Sequence, residues 1–193
     1  MEGNFKTVLI SGATQGIGLE TASQLGLLGH YIIISGRNEE AGKTALSQLQ
    51  SKNIKCDFVL MDIQSMESIN AAYDLVKTKF NSIDVLINNA AILIDSAENF
   101  LIPDESAAKK TFETNLLGPL FTTQVFLPLI KPGASIINVS SGGGSMTDAP
   151  GGWAPLYCIS KTALNSLTRQ LAHALQNRNI KVNAVCPGWV RTR

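Results

Sequence analysis

Tyr157 and Lys161 stand four residues apart in a stretch with helical periodicity, so their side chains are expected on one face of a helix. The phenol of a tyrosine has an ordinary pKa of about 10 and is a poor acid near neutral pH. Lowering that pKa by about 3 units costs about 4 kcal/mol. One ammonium group roughly 4 Å away supplies about that much at an effective dielectric constant near 20. The pair could therefore donate a proton, although this spacing also arises by chance on helices.

A further hydroxyl group stands at the end of a predicted strand. Ser141 follows the apolar run 135–140 and opens the glycine-rich stretch 142–144. A serine in this position could polarise a carbonyl group of a substrate. Serine-rich turns are also common for purely structural reasons, so this feature alone does not decide between the two interpretations.

A glycine-rich turn between a predicted strand and a predicted helix could bind phosphate. Gly12, Gly16 and Gly18 follow the apolar strand 7–11 and lead into the helix 19–29. Glycine lets the backbone approach an anion, and the free N–H groups at a helix start carry partial positive charge. The spacing G-x-x-x-G-x-G differs from the dinucleotide and phosphate-loop fingerprints. A nucleotide site and a plain tight turn therefore both remain open.

The composition is that of an ordinary globular chain. It has 193 residues, enough for one sizeable core, with 45% hydrophobic and 16% charged residues. The net charge is +1 without a basic or acidic block, which gives no support for nucleic acid or an anionic membrane as partner. Three cysteines without metal-ligand spacing argue against a disulfide framework and favour a cytoplasmic location. We expect no signal peptide, no membrane span and no metal site.

Apolar runs alternate with helical periodicity along the chain, which predicts an α/β fold with a doubly wound parallel sheet. The predicted strands are 7–11, 31–35, 55–61, 84–87, 135–140 and 180–186. The predicted helices are 19–29, 39–52, 65–80, 104–129 and 155–176. Ligands of such sheets bind beyond the carboxyl ends of the strands, so the polar residues there are the site candidates.

Polar residues follow several of these strands. Arg37 follows the second strand and could pair with a phosphate. Since no acidic residue stands directly at that strand end, NADP is favoured over NAD, with an ordinary surface charge as the alternative. Asp62 and Ile63 follow the third strand and could contact an adenine, although Asp62 could equally cap the next helix. Asn89 and Ala90 follow the fourth strand and could pack against a ligand or form a plain loop.

The ordered set of motifs resembles the short-chain dehydrogenase/reductase family in its compact single-domain form. The motifs are Ser11-Gly12-x-x-x-Gly16-x-Gly18, Asn88-Asn89-Ala90, Asn115, Ser141, Tyr157-x-x-x-Lys161 and Pro187-Gly188. They extend over essentially the whole chain. The resemblance implies an NADP(H)-dependent oxidoreductase that interconverts a small-molecule carbonyl and its alcohol by hydride transfer. A nucleotide-binding redox sensor or a structural subunit with the same fold is the alternative.

The resemblance also implies roles for individual residues. Tyr157 would be the general acid or base, Lys161 would lower its pKa and bind the nicotinamide ribose, and Ser141 would polarise the carbonyl. Ser141 is preferred to Ser140 because the second serine of the pair is the usual catalytic one. Asn115 would hold a water that links Lys161 to solvent. The expected cofactor-binding residues are Gly12, Gln15, Gly16, Ile17, Gly18, Arg37, Asp62, Ile63, Asn89, Ala90, Tyr157, Lys161, Pro187, Gly188, Val190 and Thr192.

This sequence departs from the family pattern in several places. Gln15 stands where many NADP-dependent members carry a basic residue. The loop 142–156, with Trp153, is longer than in many relatives and is expected to form one wall of the substrate pocket. Members usually continue beyond the sixth strand, so we expect a single domain, 1–193, with six strands, truncated before the usual seventh strand and C-terminal helix.

The predicted helices 104–129 and 155–176 are unusually apolar for surface helices. The resemblance implies a homodimer or homotetramer, and these two helices could pair across a two-fold axis. Against this, each helix must also bury one face on the sheet.

Overall fold

The computed structural model describes residues 5–94, 101–102, 104–148 and 153–190. Within these segments the strands are β1 (Thr7–Ile10), β2 (Tyr31–Gly36), β3 (Cys56–Leu60), β4 (Ile83–Asn88), β5 (Ile130–Val139) and β6 (Lys181–Val185). They form a parallel sheet in the order β3-β2-β1-β4-β5-β6. The strand order reverses next to β1, which confirms the predicted doubly wound α/β fold.

Helices connect the strands. They are α1 (Gly16–Leu27), α2 (Glu39–Gln50), α3 (Met66–Lys79), α4 (Glu105–Phe112), α5 (Gly118–Phe126) and α6 (Pro155–Ala174). Local sequence explains where several begin, because Asn38, Ser65 and Asp104 each accept a hydrogen bond from a backbone N–H of the first turn of α2, α3 and α4. No helix in the described segments is long and apolar enough to cross a bilayer.

Both faces of the sheet are buried, as expected for parallel strands. Successive residues of β1 point to opposite faces, so Val8 and Ile10 belong to one apolar cluster and Leu9 to the other. Phe126, at the end of α5, is fully buried in the cluster of Leu9, and Leu49 of α2 is buried in the other. These two cores hold the carboxyl ends of the strands in place.

The predicted continuous helix 104–129 is interrupted by a π-helical turn, Glu113–Leu117, between α4 and α5. Gly118 donates its N–H to the carbonyl of Glu113, five residues earlier. Pro119 has no N–H to donate to the carbonyl of Asn115, so the regular α-helical pattern cannot continue there. Such single π-turns occur often at functional sites, and this one carries Asn115.

Strand β5 begins at Ile130 instead of at the predicted residue 135, because Ile130 pairs with Ile83 across an irregularity in the register. Asp84 accepts a hydrogen bond from the N–H of Thr7 at 2.8 Å and forms an ion pair with Lys131. Asp84 therefore braces β1, β4 and β5, which agrees with a structural role.

Candidate active site

A cleft of about 1300 Å³ lies beyond the carboxyl ends of the strands, at the point where the strand order reverses. Most of the residues that the sequence predicted for the cofactor line it: Gly12, Gln15, Gly16, Ile17, Arg37, Asp62, Ile63, Asn89, Ala90, Tyr157, Lys161, Pro187 and Val190. Gly18, Asn115, Ser141 and Gly188 are not in its lining. Thr192 lies outside the described residues.

The glycine turn is shaped by close contact with the segment after β4. Gly12 has a φ of +64°, and a Cβ there would lie 2.7 Å from the Cα of Ala90. The side chain of Asn89 donates to the carbonyls of Ser11 and Gly12, both at 3.0 Å. Gly18 does not line the cleft, because it is buried and a Cβ there would lie 2.5 Å from Nδ2 of Asn89. Gly18 thus allows α1 to pack against the side chain of Asn89, which holds the glycine turn.

The start of α1 faces this turn without a side-chain cap. Gln15 makes no capping hydrogen bond, and the first turn contains no acidic residue. The free N–H groups there, together with the glycine cradle, suit the pyrophosphate of a dinucleotide. The residues present therefore fit NADP(H) or NAD(H) in this part of the cleft.

The far end of the cleft lies beyond β2 and β3. Arg37 is exposed there, and among the described residues it forms no ion pair. Asp62 accepts a hydrogen bond at Oδ1 from the N–H of Gln64 at 3.0 Å. It does not cap α3, because the cap is Ser65. Asp62 therefore closes a local turn at the edge of the cleft.

The opposite end of the cleft, next to α6, brings together Tyr157, Ser141 and Lys161. Tyr157 lies in the first turn of α6, and its hydroxyl is hydrogen-bonded to Ser141. Lys161 is one turn further along α6 and only 2% exposed. Its Nζ donates to the carbonyl of Val139 at 2.8 Å and lies 5.6 Å from the centroid of the Tyr157 ring.

The two neighbouring serines after β5 have different partners. Ser140 is buried, and its hydroxyl donates to Oδ1 of Asn165 at 2.7 Å. Ser141 is the serine that contacts Tyr157, and its Oγ also accepts from the N–H of Gly143 at 3.1 Å. Of the pair, only Ser141 therefore has its hydroxyl beside the phenol.

Burial shifts both ionisable groups of this end. It lowers the pKa of Lys161 to about 8. It also raises the pKa of Tyr157, a change that the hydrogen bond to Ser141 opposes. The pKa of Tyr157 is thus raised in this geometry, because loss of water around the phenol has the largest effect. Tyr157 is consequently protonated at neutral pH. The role of Lys161 in lowering that pKa stays a prediction.

Asn115 has a role that the sequence did not predict. Its side chain is fully buried, accepts from the N–H of Ile92 at 2.8 Å and donates to the carbonyl of Ile92 at 2.9 Å and to Ser160 Oγ at 3.1 Å. Ser160 in turn donates to the carbonyl of Tyr157 at 2.7 Å. Both amide hydrogens of Asn115 are thus used to tie the segment after β4 to α6. The expectation that Asn115 holds a water stays a prediction.

Several cleft-lining residues were missed by the sequence analysis. They are Thr14, Gln64, Ala91, Ile92, Leu93 and Thr114. Most of them directly continue the strand-end segments that were singled out, so extending those segments by three residues would have found them. Thr114 comes from the π-turn, where Gln64 donates to its hydroxyl, and Pro119 was the available signal for that turn.

A doubly wound sheet whose cleft is lined by a glycine cradle, Tyr157 and Lys161, with Ser141 hydrogen-bonded to Tyr157, is typical of a dinucleotide-binding domain. The sequence matches the short chain dehydrogenase family over residues 6–193. The chain therefore belongs to the short-chain dehydrogenase family, as the motifs predicted.

Individual relatives show what this chain resembles. The short-chain dehydrogenase anuI of Penicillium roqueforti is 36% identical over 96% of this chain and 79% of its own length. An actinorhodin polyketide ketoreductase variant with NADPH has 33% identity and a TM-score of 0.89, covering 98% of this chain and 72% of that one. The NADPH-bound carbonyl reductase from chicken fatty liver has 32% identity and a TM-score of 0.88, covering 97% and 81%. A putative D-mannonate oxidoreductase from Haemophilus influenza with bound NAD has 26% identity and a TM-score of 0.84, covering 96% and 71%.

Proposed function

We propose that the protein is an NADP(H)-dependent oxidoreductase that interconverts a small-molecule carbonyl and its alcohol, with Tyr157 as general acid and base. The observation that carries the proposal is the hydrogen bond between Tyr157 and Ser141, at the end of a cleft that also contains the glycine cradle. Two hydroxyl groups in contact can both donate to one carbonyl oxygen. Two solved relatives hold NADPH and a third holds NAD, so the preference for NADP(H) is part of the proposal.

The cofactor would lie along the cleft, and when bound it would supply or accept the hydride. The turn from Gly12 to Gly16 and the start of α1 would hold the pyrophosphate, and Arg37 would hold the 2′-phosphate. Asp62 and Ile63 would contact the adenine. The nicotinamide end would be bounded by Pro187 and Val190, next to Lys161.

The residues around the carbonyl would act together. Tyr157 would donate its proton to the carbonyl oxygen, and Ser141 would donate a hydrogen bond to the same oxygen. Because burial raises the pKa of Tyr157, the phenol is protonated at neutral pH, which is the form that donates a proton to a carbonyl. Lys161, with a pKa of about 8, is mostly charged at neutral pH and would stabilise the tyrosinate left after proton transfer.

The assembly and location of the protein belong to the same proposal. We expect a cytoplasmic homodimer or homotetramer that pairs through the helices 104–129 and 155–176. Leu117 and Ile159 support this, because they expose 36% and 45% of their surface on these helices. A monomeric mass in solution at micromolar concentration would contradict the pairing.

Replacing the proposed acid tests the function directly. Tyr157→Phe should lower kcat for a panel of aldehydes and ketones with NADPH by about 10²- to 10⁴-fold, while NADPH affinity is retained. Tyr73→Phe is the matched control, since Tyr73 packs on Phe126 in the core cluster, away from the cleft lining. Equal turnover by Tyr157→Phe and the parent would refute the assignment. Tight NADPH binding without turnover of any carbonyl would favour the redox-sensor alternative.

A further inference from the structure

Trp153 lies beside the proposed acid, and the second tryptophan of the chain, Trp189, lies beside Trp153. The centroids of the Trp153 and Tyr157 rings are 5.8 Å apart with the planes at 79°, an edge-to-face contact. The rings of Trp153 and Trp189 lie 6.0 Å apart. Trp153 is 37% exposed and Trp189 is 91% exposed. Trp153 therefore contacts the phenol and still offers part of its ring to another group.

The position of Trp153 is set by the glycine run after β5. A Cβ on Gly143 would lie 3.3 Å from Cζ3 of Trp153 and 2.8 Å from Sγ of Cys158, so only a glycine lets both side chains approach. The thiol of Cys158 donates to the carbonyl of Trp153 at 3.1 Å. The N–H of Gly143 donates to Ser141 Oγ. Gly143 therefore both leaves room for Trp153 and orients the hydroxyl of Ser141.

We propose that Trp153 is a specificity-determining residue that selects carbonyl substrates with an aromatic ring next to the carbonyl group. The inference rests on the proposed function, because it places the carbonyl oxygen at Tyr157 and Ser141. Rings pair favourably at centroid distances of about 4.5 to 7 Å, and Trp153 already lies at such a distance from the phenol that would hold the oxygen. The proposal places a ring on the carbonyl carbon on the side of the phenol that Trp153 occupies.

Two exposed apolar side chains, one in the loop that leads to Trp153 and one in the cleft lining, are consistent with an apolar, uncharged substrate. Met146, in the loop between β5 and Trp153, is 82% exposed, and Leu93, which lines the cleft after β4, is 51% exposed. A methionine thioether makes favourable contacts with aromatic rings. Burial also raises the pKa of Tyr157, as expected where apolar groups replace water.

Two ketones of equal carbon skeleton test the selection. Acetophenone and cyclohexyl methyl ketone differ in the aromaticity of the ring, and we expect the protein to favour acetophenone in kcat/KM. Trp153→Leu should lower this preference by about 3- to 10-fold, the size of one aromatic pair, and Trp153→Phe should retain it. A merely structural role would lower kcat/KM for both ketones alike. That result, or an unchanged preference in Trp153→Leu, would overturn the proposal.

A binding experiment separates this inference from the proposed function. Trp189→Phe leaves Trp153 as the one fluorescent indole, and Trp153→Phe leaves Trp189. With NADPH present, acetophenone should quench Trp153 emission saturably and cyclohexyl methyl ketone should not. Linear, unsaturable quenching of both single-tryptophan variants would overturn the aromatic subsite. Saturable quenching of Trp153 without turnover of either ketone would support the subsite and refute the catalytic function.

Discussion

Lys161 donates a hydrogen bond from Nζ to the carbonyl oxygen of Val139 at 2.8 Å, although its side chain is only 2% exposed. Val139 is the last residue of β5, so the bond ties α6 to the sheet. A carbonyl oxygen carries no full charge, and it balances the ammonium group only in part. Burial therefore lowers the pKa of Lys161 to about 8, and the charge is held at a cost in stability.

This cost predicts a pH dependence of stability. Between pH 8 and 10.5 the unfolded chain binds the proton of Lys161 more tightly than the folded chain, so the contribution of Lys161 to stability rises with pH. The fall in pKa from 10.5 to about 8 corresponds to about 3 kcal/mol. Lys161→Met should be more stable than the parent at pH 7, and the difference should shrink by about that amount towards pH 10.5.

Urea denaturation of both proteins across this pH range measures the difference in free energy of unfolding. Lys110→Met is the control, because Lys110 is exposed on α4 and its replacement should give a difference that is independent of pH. Parallel stability curves for Lys161→Met and the parent would show that Lys161 is not held charged in the interior.

Removing the side chain of Asn115 should destabilise the protein. Asn115→Ala deletes three hydrogen bonds of a buried side chain, two to Ile92 and one to Ser160, at a cost of about 2 to 3 kcal/mol. Gln124→Ala on the exposed side of α5 should change stability by less than about 0.5 kcal/mol. Urea denaturation measures the free energy of unfolding of both variants. Equal values would show that Asn115 does not tie α6 to the segment after β4.

Arg37 should discriminate between the two cofactors. Arg37→Ala should weaken NADPH binding by roughly 10- to 100-fold, the loss expected for hydrogen bonds between charged groups, and should leave NADH binding nearly unchanged. Arg169→Ala, an exposed arginine of α6 outside the cleft lining, serves as the control for net charge. Nucleotide fluorescence titrations give both dissociation constants. Equal losses for NADPH and NADH would remove Arg37 from the 2′-phosphate.

Alanine substitutions at two glycines with positive φ distinguish the cost of backbone strain from the cost of a steric clash. Gly133 has a φ of +79° with no atom within 4 Å of an added Cβ, and Gly12 has a φ of +64° with Ala90 Cα at 2.7 Å. Gly133→Ala should cost only the left-handed strain, about 1 kcal/mol. Gly12→Ala should cost at least about 2 kcal/mol more and also abolish NADPH binding, because the turn must move. Similar unfolding free energies in the two variants would mean that the contact with Ala90 is unimportant.

Much of the fold could be predicted because its signals are local. Buried parallel strands appear as short apolar runs such as Val8-Leu9-Ile10, and helix starts carry caps such as Asn38. The π-turn at Asn115 was not predicted, because the apolar pattern of 104–129 predicts a helix but not the hydrogen-bond pattern within it, although Pro119 was a signal for the interruption. The start of β5 at Ile130 was missed because pairing with Ile83 extends an exposed segment.

The sequence by itself determined the family, the parallel sheet and the residue types that gather at its carboxyl edge, because alternation of apolar runs and motif spacing are properties of the chain. Only the tertiary structure decided how those residues act on one another. It brought Asn115 into contact with Ile92 and Ser160, gave Ser140 the partner Asn165, and buried the phenol of Tyr157 so that its pKa is raised. The physical reason is that hydrogen-bond partners and loss of water depend on packing in three dimensions, which spacing along the chain does not contain.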